Sequence, residues 1–199
     1  MRGRLTTSAV FCIGLVLAVA ASSATLDELE ITHSRGRYEL SAYTYLAAPA
    51  PEIYAVLLDY EDNRFSRISS AYKESRYLEP DTDGTPIVYT LMEGCVLHFC
   101  RSLRRVERLE IAEPTFIRTT LVPERSDFDY ATSEWTLEPV EGGTQVTYEL
   151  VMKPAFWVPP VVGPWLLKRR LREGGVRALT RIERLAQGEA LPKRIATSE

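Results

Sequence analysis

Two histidines and three cysteines are spread over 199 residues, and that scarcity removes most of the common catalytic and metal-binding devices. His33 stands in a polar lead and His98 beside two cysteines, so no serine or cysteine nucleophile has a well-placed base. No glycine-rich phosphate loop and no metalloprotease helix occurs. Basic residues are not in excess: 24 of them against 27 acidic ones give a net charge of −3, which argues against nucleic acid as the main partner. No apolar run is long enough to span a bilayer comfortably. The sequence therefore presents no catalytic residue, no metal site and no cofactor motif.

What is present begins with an export signal. Arg2 and Arg4, the apolar run from Val10 to Ala21 and the small residues Ser22-Ser23-Ala24 read as a secretory signal peptide over 1–24, with an uncleaved anchor as the alternative. Cys12 lies inside that run. The expected location is outside the cytoplasm, in the periplasm. A polar lead then covers 25–37, one domain 38–187 and a flexible tail 188–199, and loss of 1–24 takes the net charge to −5. One ordinary domain of this length can bury a sizeable core.

Period-two alternation marks the strands. Tyr38 to Leu46 alternates and is rich in Tyr and Thr, which suits a pleated, half-buried surface. Pro51 and Glu52 open a short helix with an Ile53, Val56, Leu57, Tyr60 stripe, and a second short helix or turn covers Glu61 to Arg67. Six further strands centre on 72–79, 86–93, 98–111, 116–122, 130–138 and 144–153, with turn signals that include Gly94. The last hairpin is plainest. Ser133, Trp135 and Leu137 share a face, and beyond Glu141-Gly142-Gly143 so do Val146, Tyr148, Leu150 and Met152. The elbow from Pro154 to Pro160 stops the strand, because proline cannot donate to the ladder. Gly163-Pro164 then opens a long helix with Leu167, Leu171, Gly174/Gly175, Ala178, Ile182 and Leu185 on one face.

This order of strand, two short helices, six strands and long helix resembles the helix-grip fold of the START/Bet v 1-like superfamily (SRPBCC), which includes polyketide cyclases and coenzyme Q-binding proteins. The motifs that carry the likeness are Ala48-Pro49-Ala50-Pro51-Glu52-Ile53-Tyr54 before a helix ending in Asp59-Tyr60, Lys73-Glu74-Ser75-Arg76-Tyr77-Leu78-Glu79 in the second strand, and Trp135-Thr136-Leu137-Glu138-Pro139 running to Gly143-Thr144-Gln145-Val146. It covers Tyr38 to Ala186. The resemblance implies an α+β fold in which a curved seven-stranded antiparallel sheet wraps a long C-terminal helix, with two short helices between strands 1 and 2. It also implies an elongated, mostly apolar tunnel between sheet and helix as the ligand site. Residues of inward parity would line it: Tyr89, Leu91, Trp135, Tyr148, Leu150 and Met152 from the sheet, Leu171, Gly175 and Ala178 from the helix. One departure is Asn63-Arg64-Phe65-Ser66-Arg67 where the family has an aromatic just after its first helix, so the tunnel's lip is expected to differ.

Several features allow two readings. Cys95 and Cys100 can bond only if the chain reverses between them; the alternatives are free thiols or a metal site with His98. In an oxidising compartment the disulfide is the expectation. Phe156, Trp157 and Trp165 either plug the barrel end or form a portal whose aromatics and neighbouring Lys168, Arg169 and Arg170 touch a membrane surface. Gly174-Gly175 reflects either close helix packing or room for a ligand. Arg101 and Arg105 share a parity with Phe99 and Leu103, so they face solvent at a sheet edge or greet an acidic ligand head inside.

The expected function is binding, with transport as an extension, of a lipid or other hydrophobic small molecule outside the cytoplasm, with transient membrane-surface contact and no nucleic acid. The alternatives are a cyclase- or hydrolase-like enzyme using the same cavity and a protein-interaction module with the cavity filled.

Overall fold

The computed structural model describes residues 25–96, 99–155 and 163–189; the expected signal peptide, the elbow aromatics Phe156 and Trp157, and the tail from 190 onward lie outside them. Element order is β1 (Thr25–Ser34), β2 (Arg37–Leu46), α1 (Ala50–Leu57), a 3-10 segment (Glu61–Arg67), β3 (Tyr72–Leu78), β4 (Ile87–Val96), β5 (Phe99–Ala112), β6 (Phe116–Leu121), a 3-10 turn (Pro123–Arg125), β7 (Phe128–Val140), β8 (Gly143–Pro154) and α2 (Gly163–Ala186). All strands form one antiparallel sheet in the order β1-β2-β8-β7-β6-β5-β4-β3. This is the helix-grip fold, with α2 across the inner face.

The sheet has eight strands where seven are expected. The polar lead is itself strand β1, joined to β2 by Arg35-Gly36, both with positive φ (51° and 77°), as a tight two-residue hairpin turn requires. Leu29 and Ile31 pack against Leu40, Ala42 and Leu150. A register shift between Leu26 and Glu28 breaks the period of two, which is why the alternation is hard to see. A second difference concerns Gly94. It pairs with Arg101 inside the β4–β5 hairpin, and the reversal falls beyond Val96.

The core concentrates at one end. Leu46, Ile53, Leu57, Ile117, Leu137, Val146 and Ile182 cluster there, joining α1, the sheet and the last turns of α2. Each such side chain contributes about 1.5–3 kcal/mol relative to exposure. The buried Glu183 carboxylate accepts the Ala47 amide at 2.8 Å, and Gln187 Nε2 donates to the Ala47 carbonyl at 2.7 Å. In the first half of α2 only Gly163 is buried, whereas Leu179, Ile182, Glu183 and Ala186 are buried in the second.

Gly143 is the closest backbone approach in this end of the fold. A Cβ there would lie 2.3 Å from the Leu46 carbonyl oxygen and 2.7 Å from the Tyr45 hydroxyl. Since backbone cannot yield cheaply, Gly143→Ala is expected to destabilise the fold by about 1–3 kcal/mol, the range for overpacking; urea denaturation would read it, and an unchanged midpoint would contradict the close approach.

Candidate functional site

Between the sheet and the first half of α2 lies a cavity of about 330 Å³, at the lower end of the roughly 300–1,000 Å³ common for small-molecule sites. Leu29, Leu40, Leu150, Met152, Leu171 and Leu179 supply much of its apolar wall. Trp135 and Tyr148, register partners on β7 and β8, stand ring against ring at 4.1 Å and line it as well. Gly175 and Ala178 border it from the helix.

Tyr89 and Leu91 are placed differently from the sequence reading. Arg76 covers the Tyr89 ring at 4.1 Å, on the outer face, while Thr90 and Met92 line the cavity instead. Pairing fixes this parity: Thr90 lies opposite Arg105 and Met92 opposite Leu103, which also line it. A polar residue is therefore inward on β4 although its neighbours are the more apolar pair.

Thr90 belongs to a polar row across β4–β8. The Arg105 guanidinium donates through Nη2 to Glu107 Oε1, and both side chains are largely withdrawn from solvent. Thr119 Oγ1 donates to Glu107 at 3.0 Å and lies 2.9 Å from Ser133 Oγ, which also contacts the Tyr148 hydroxyl. Arg105 Nη1 reaches Met92 Sδ at 3.6 Å. Burial works against the arginine's charge, but Glu107 beside it outweighs that and holds the guanidinium firmly protonated. Burial pushes the Tyr148 and Tyr72 phenols above their usual range, so both stay neutral. Arg101, by contrast, is exposed. The signal for this row was the run Leu103-Arg105-Glu107-Leu109, two charges spaced by two within an otherwise apolar face.

The lip does differ in sequence but not in aromatic content. Asp62 and Asn63 adopt positive φ (50° and 60°), and Asn63 Oδ1 accepts the Ser75 amide at 2.9 Å. That turn delivers Phe65 to the cavity wall, stacked on Tyr60 at 4.3 Å and edge-on to Tyr72 at 4.8 Å.

Over the cavity, Gly174 and Gly175 would each carry a Cβ into open space, so close helix-to-sheet packing does not account for them. Trp165 is 61% exposed with the Arg169 guanidinium 5.9 Å from its ring. Phe156 and Trp157, the other portal candidates, lie outside the described residues, as does His98. Cys95 and Cys100 are direct cross-strand partners in the β4–β5 hairpin. Asp127, Asp129 and Glu134 form ion pairs with Arg104, Lys153 and Arg118.

Among solved structures, a STAR-related lipid transfer protein fragment from Xanthomonas axonopodis is similar at 20% identity, covering 81% of this chain and 99% of that one with a TM-score of 0.59. A START superfamily protein from Mycobacterium smegmatis is similar at 22% identity (74% and 98% covered, TM-score 0.58). The Zhui aromatase/cyclase from Streptomyces sp. R1128 is similar at 17% (76% and 94%, TM-score 0.58). These likenesses show a shared fold. Comparison with curated proteins finds no match. The family model described as "Polyketide cyclase / dehydrase and lipid transport" matches residues 46–180, from the end of β2 into the second half of α2, and the chain belongs to that family.

Proposed function

We propose that this protein binds a lipid or another hydrophobic small molecule in the cavity under α2, outside the cytoplasm, and carries it without turnover. The observation behind this reading is an unfilled, largely apolar cavity spanned by a helix whose first half is barely packed. Burying an apolar ligand there yields about 25 cal/mol per Å², offset by the ligand's lost freedom. A filled-core interaction module has no use for such a volume. A structural neighbour named as a lipid transfer protein supports the reading. The polar row favours a second reading, a cyclase-like enzyme, since Arg105, Tyr148 and Ser133 meet on one wall and a neighbour is named aromatase/cyclase.

Helix α2 also suits an anionic membrane surface. It carries Lys168, Arg169, Arg170, Arg172, Arg177, Arg181 and Arg184 in a chain of net charge −3, and its exposed Trp165 has the amphipathic ring favoured at membrane interfaces. The oxidising compartment and the cross-strand placement of Cys95 and Cys100 support a disulfide. Closing so small a loop would contribute about 1–3 kcal/mol.

Three outcomes are expected. Gly175→Leu, which meets no obstructing atom, should cut uptake of a hydrophobic fluorophore several-fold while leaving the circular dichroism spectrum and melting temperature intact or improved, leucine being the better helix former by about 1 kcal/mol; full uptake would place the ligand elsewhere. Anionic vesicles should co-sediment the protein at low salt and release it at high salt, where screening tightens below the physiological length of about 8 Å, and Trp165→Ala should weaken this binding. Indifference to vesicles at low salt would leave α2 a solvated face. Peptide mapping without reductant should recover Cys95 joined to Cys100; finding both as free thiols in freshly isolated native protein would count against export.

A further inference from the structure

We infer that the ligand carries an uncharged acceptor oxygen, a ketone or ester carbonyl on an otherwise apolar skeleton, and presents it to Thr90 Oγ1 and Arg105 Nε. This rests on the binding reading above and specifies its polar end. Thr90 and Arg105 are register partners on β4 and β5 and both line the cavity. Among the described residues, Thr90 Oγ1 and Arg105 Nε are buried without a hydrogen-bond partner. Their neighbours are engaged: Nη2 with Glu107, Nη1 with Met92 Sδ, and the Thr119, Ser133 and Tyr148 hydroxyls with one another or with Glu107. Two unmet groups therefore sit side by side on one wall, and leaving buried donors unmet is costly.

The chemistry of the partner follows from donor count and from charge. Arg Nε can only donate, so whatever bridges the two must accept; an ammonium or an alkane cannot. A carbonyl oxygen has two lone pairs, one for each donor. A carboxylate also accepts, but Glu107 already neutralises Arg105. A further negative charge in this dry wall would stand uncompensated, whereas a carbonyl brings none. The buried phenols of Tyr72 and Tyr148 stay neutral and cannot offset it. At the mouth, Glu93 is paired with Lys73, and Arg170 is exposed. The acidic head contemplated for an inward arginine is thus disfavoured by the carboxylate two residues along.

Displacement of Nile red by methyl laurate, laurate and dodecane at mildly alkaline pH separates the cases. The wild type should take methyl laurate in clear preference to laurate. Thr90→Val should weaken the ester about three- to tenfold, the worth of one neutral hydrogen bond, leave dodecane unchanged and not lower the melting temperature, because it removes an unmet buried hydroxyl. Glu107→Gln should raise laurate affinity about tenfold by leaving Arg105 uncompensated; should that variant fail to fold, the ligand series on the wild type and Thr90→Val still decides. Preference for laurate in the wild type overturns the uncharged head. Equal ester binding by the wild type and Thr90→Val overturns the subsite while hydrophobic binding stands. Failure of Nile red and of all three ligands to bind removes the binding reading and the subsite with it.

Discussion

One hydrogen-bonded clamp governs the inner side of the molecule: the buried Glu183 carboxylate on the Ala47 amide, reinforced by Gln187 on the Ala47 carbonyl. It joins the end of α2 to the chain between β2 and α1, where Leu46, Ile53 and Ile182 make the densest packing. With that end held, α2 must cross the sheet, and the sheet's curvature leaves a volume beneath its unanchored half. Removing one partner would leave a buried amide or charge unmet, which is why the clamp constrains the fold more than an exposed ion pair would. The cavity is thus a product of where the helix is fastened as much as of which residues line it.

The cavity wall divides the labour between its two sides. Toward β1, β2 and β8 it is aliphatic, and toward β4–β7 it carries the polar row centred on Arg105 and Glu107. A buried ion pair is weak grounds for stability, because desolvation cancels much of the attraction, and apolar residues of similar volume would serve a core as well or better. Its presence next to empty volume makes sense for recognition. Thr119 and Ser133 tie the carboxylate to its neighbours, so the guanidinium is held in one orientation without a ligand.

Much of this was legible in the amino-acid pattern. Strands β2, β7 and β8 bury alternate residues, and the Trp135–Tyr148 pair follows directly from their parity. What escaped did so for physical reasons. Strand β1 is offset by its register shift, so Leu26 and Leu29 stand three apart and imitate a polar, aperiodic lead. On β4 the more hydrophobic pair, Tyr89 and Leu91, lies outside, where Arg76 covers the tyrosine ring. Hydrophobicity misleads wherever an interior face is meant to be partly polar, and only the pairing with β5 resolves it. Gly94 resembles a turn residue, yet it lies within a strand with nothing near its Cα to exclude a side chain.

The glycine pair at 174 and 175 gives α2 a mechanical character. From there back to Gly163 the helix forms an arm of about 16 Å, at 1.5 Å per residue. A tilt of about 10° at that point swings the tip by about 3 Å, and the tip is where the chain carries Trp165. Few buried contacts resist the swing, since the first half of the helix buries almost nothing. The helix is a lever with its fulcrum over the binding volume, so a small torque at the surface becomes a change in the width of the entrance.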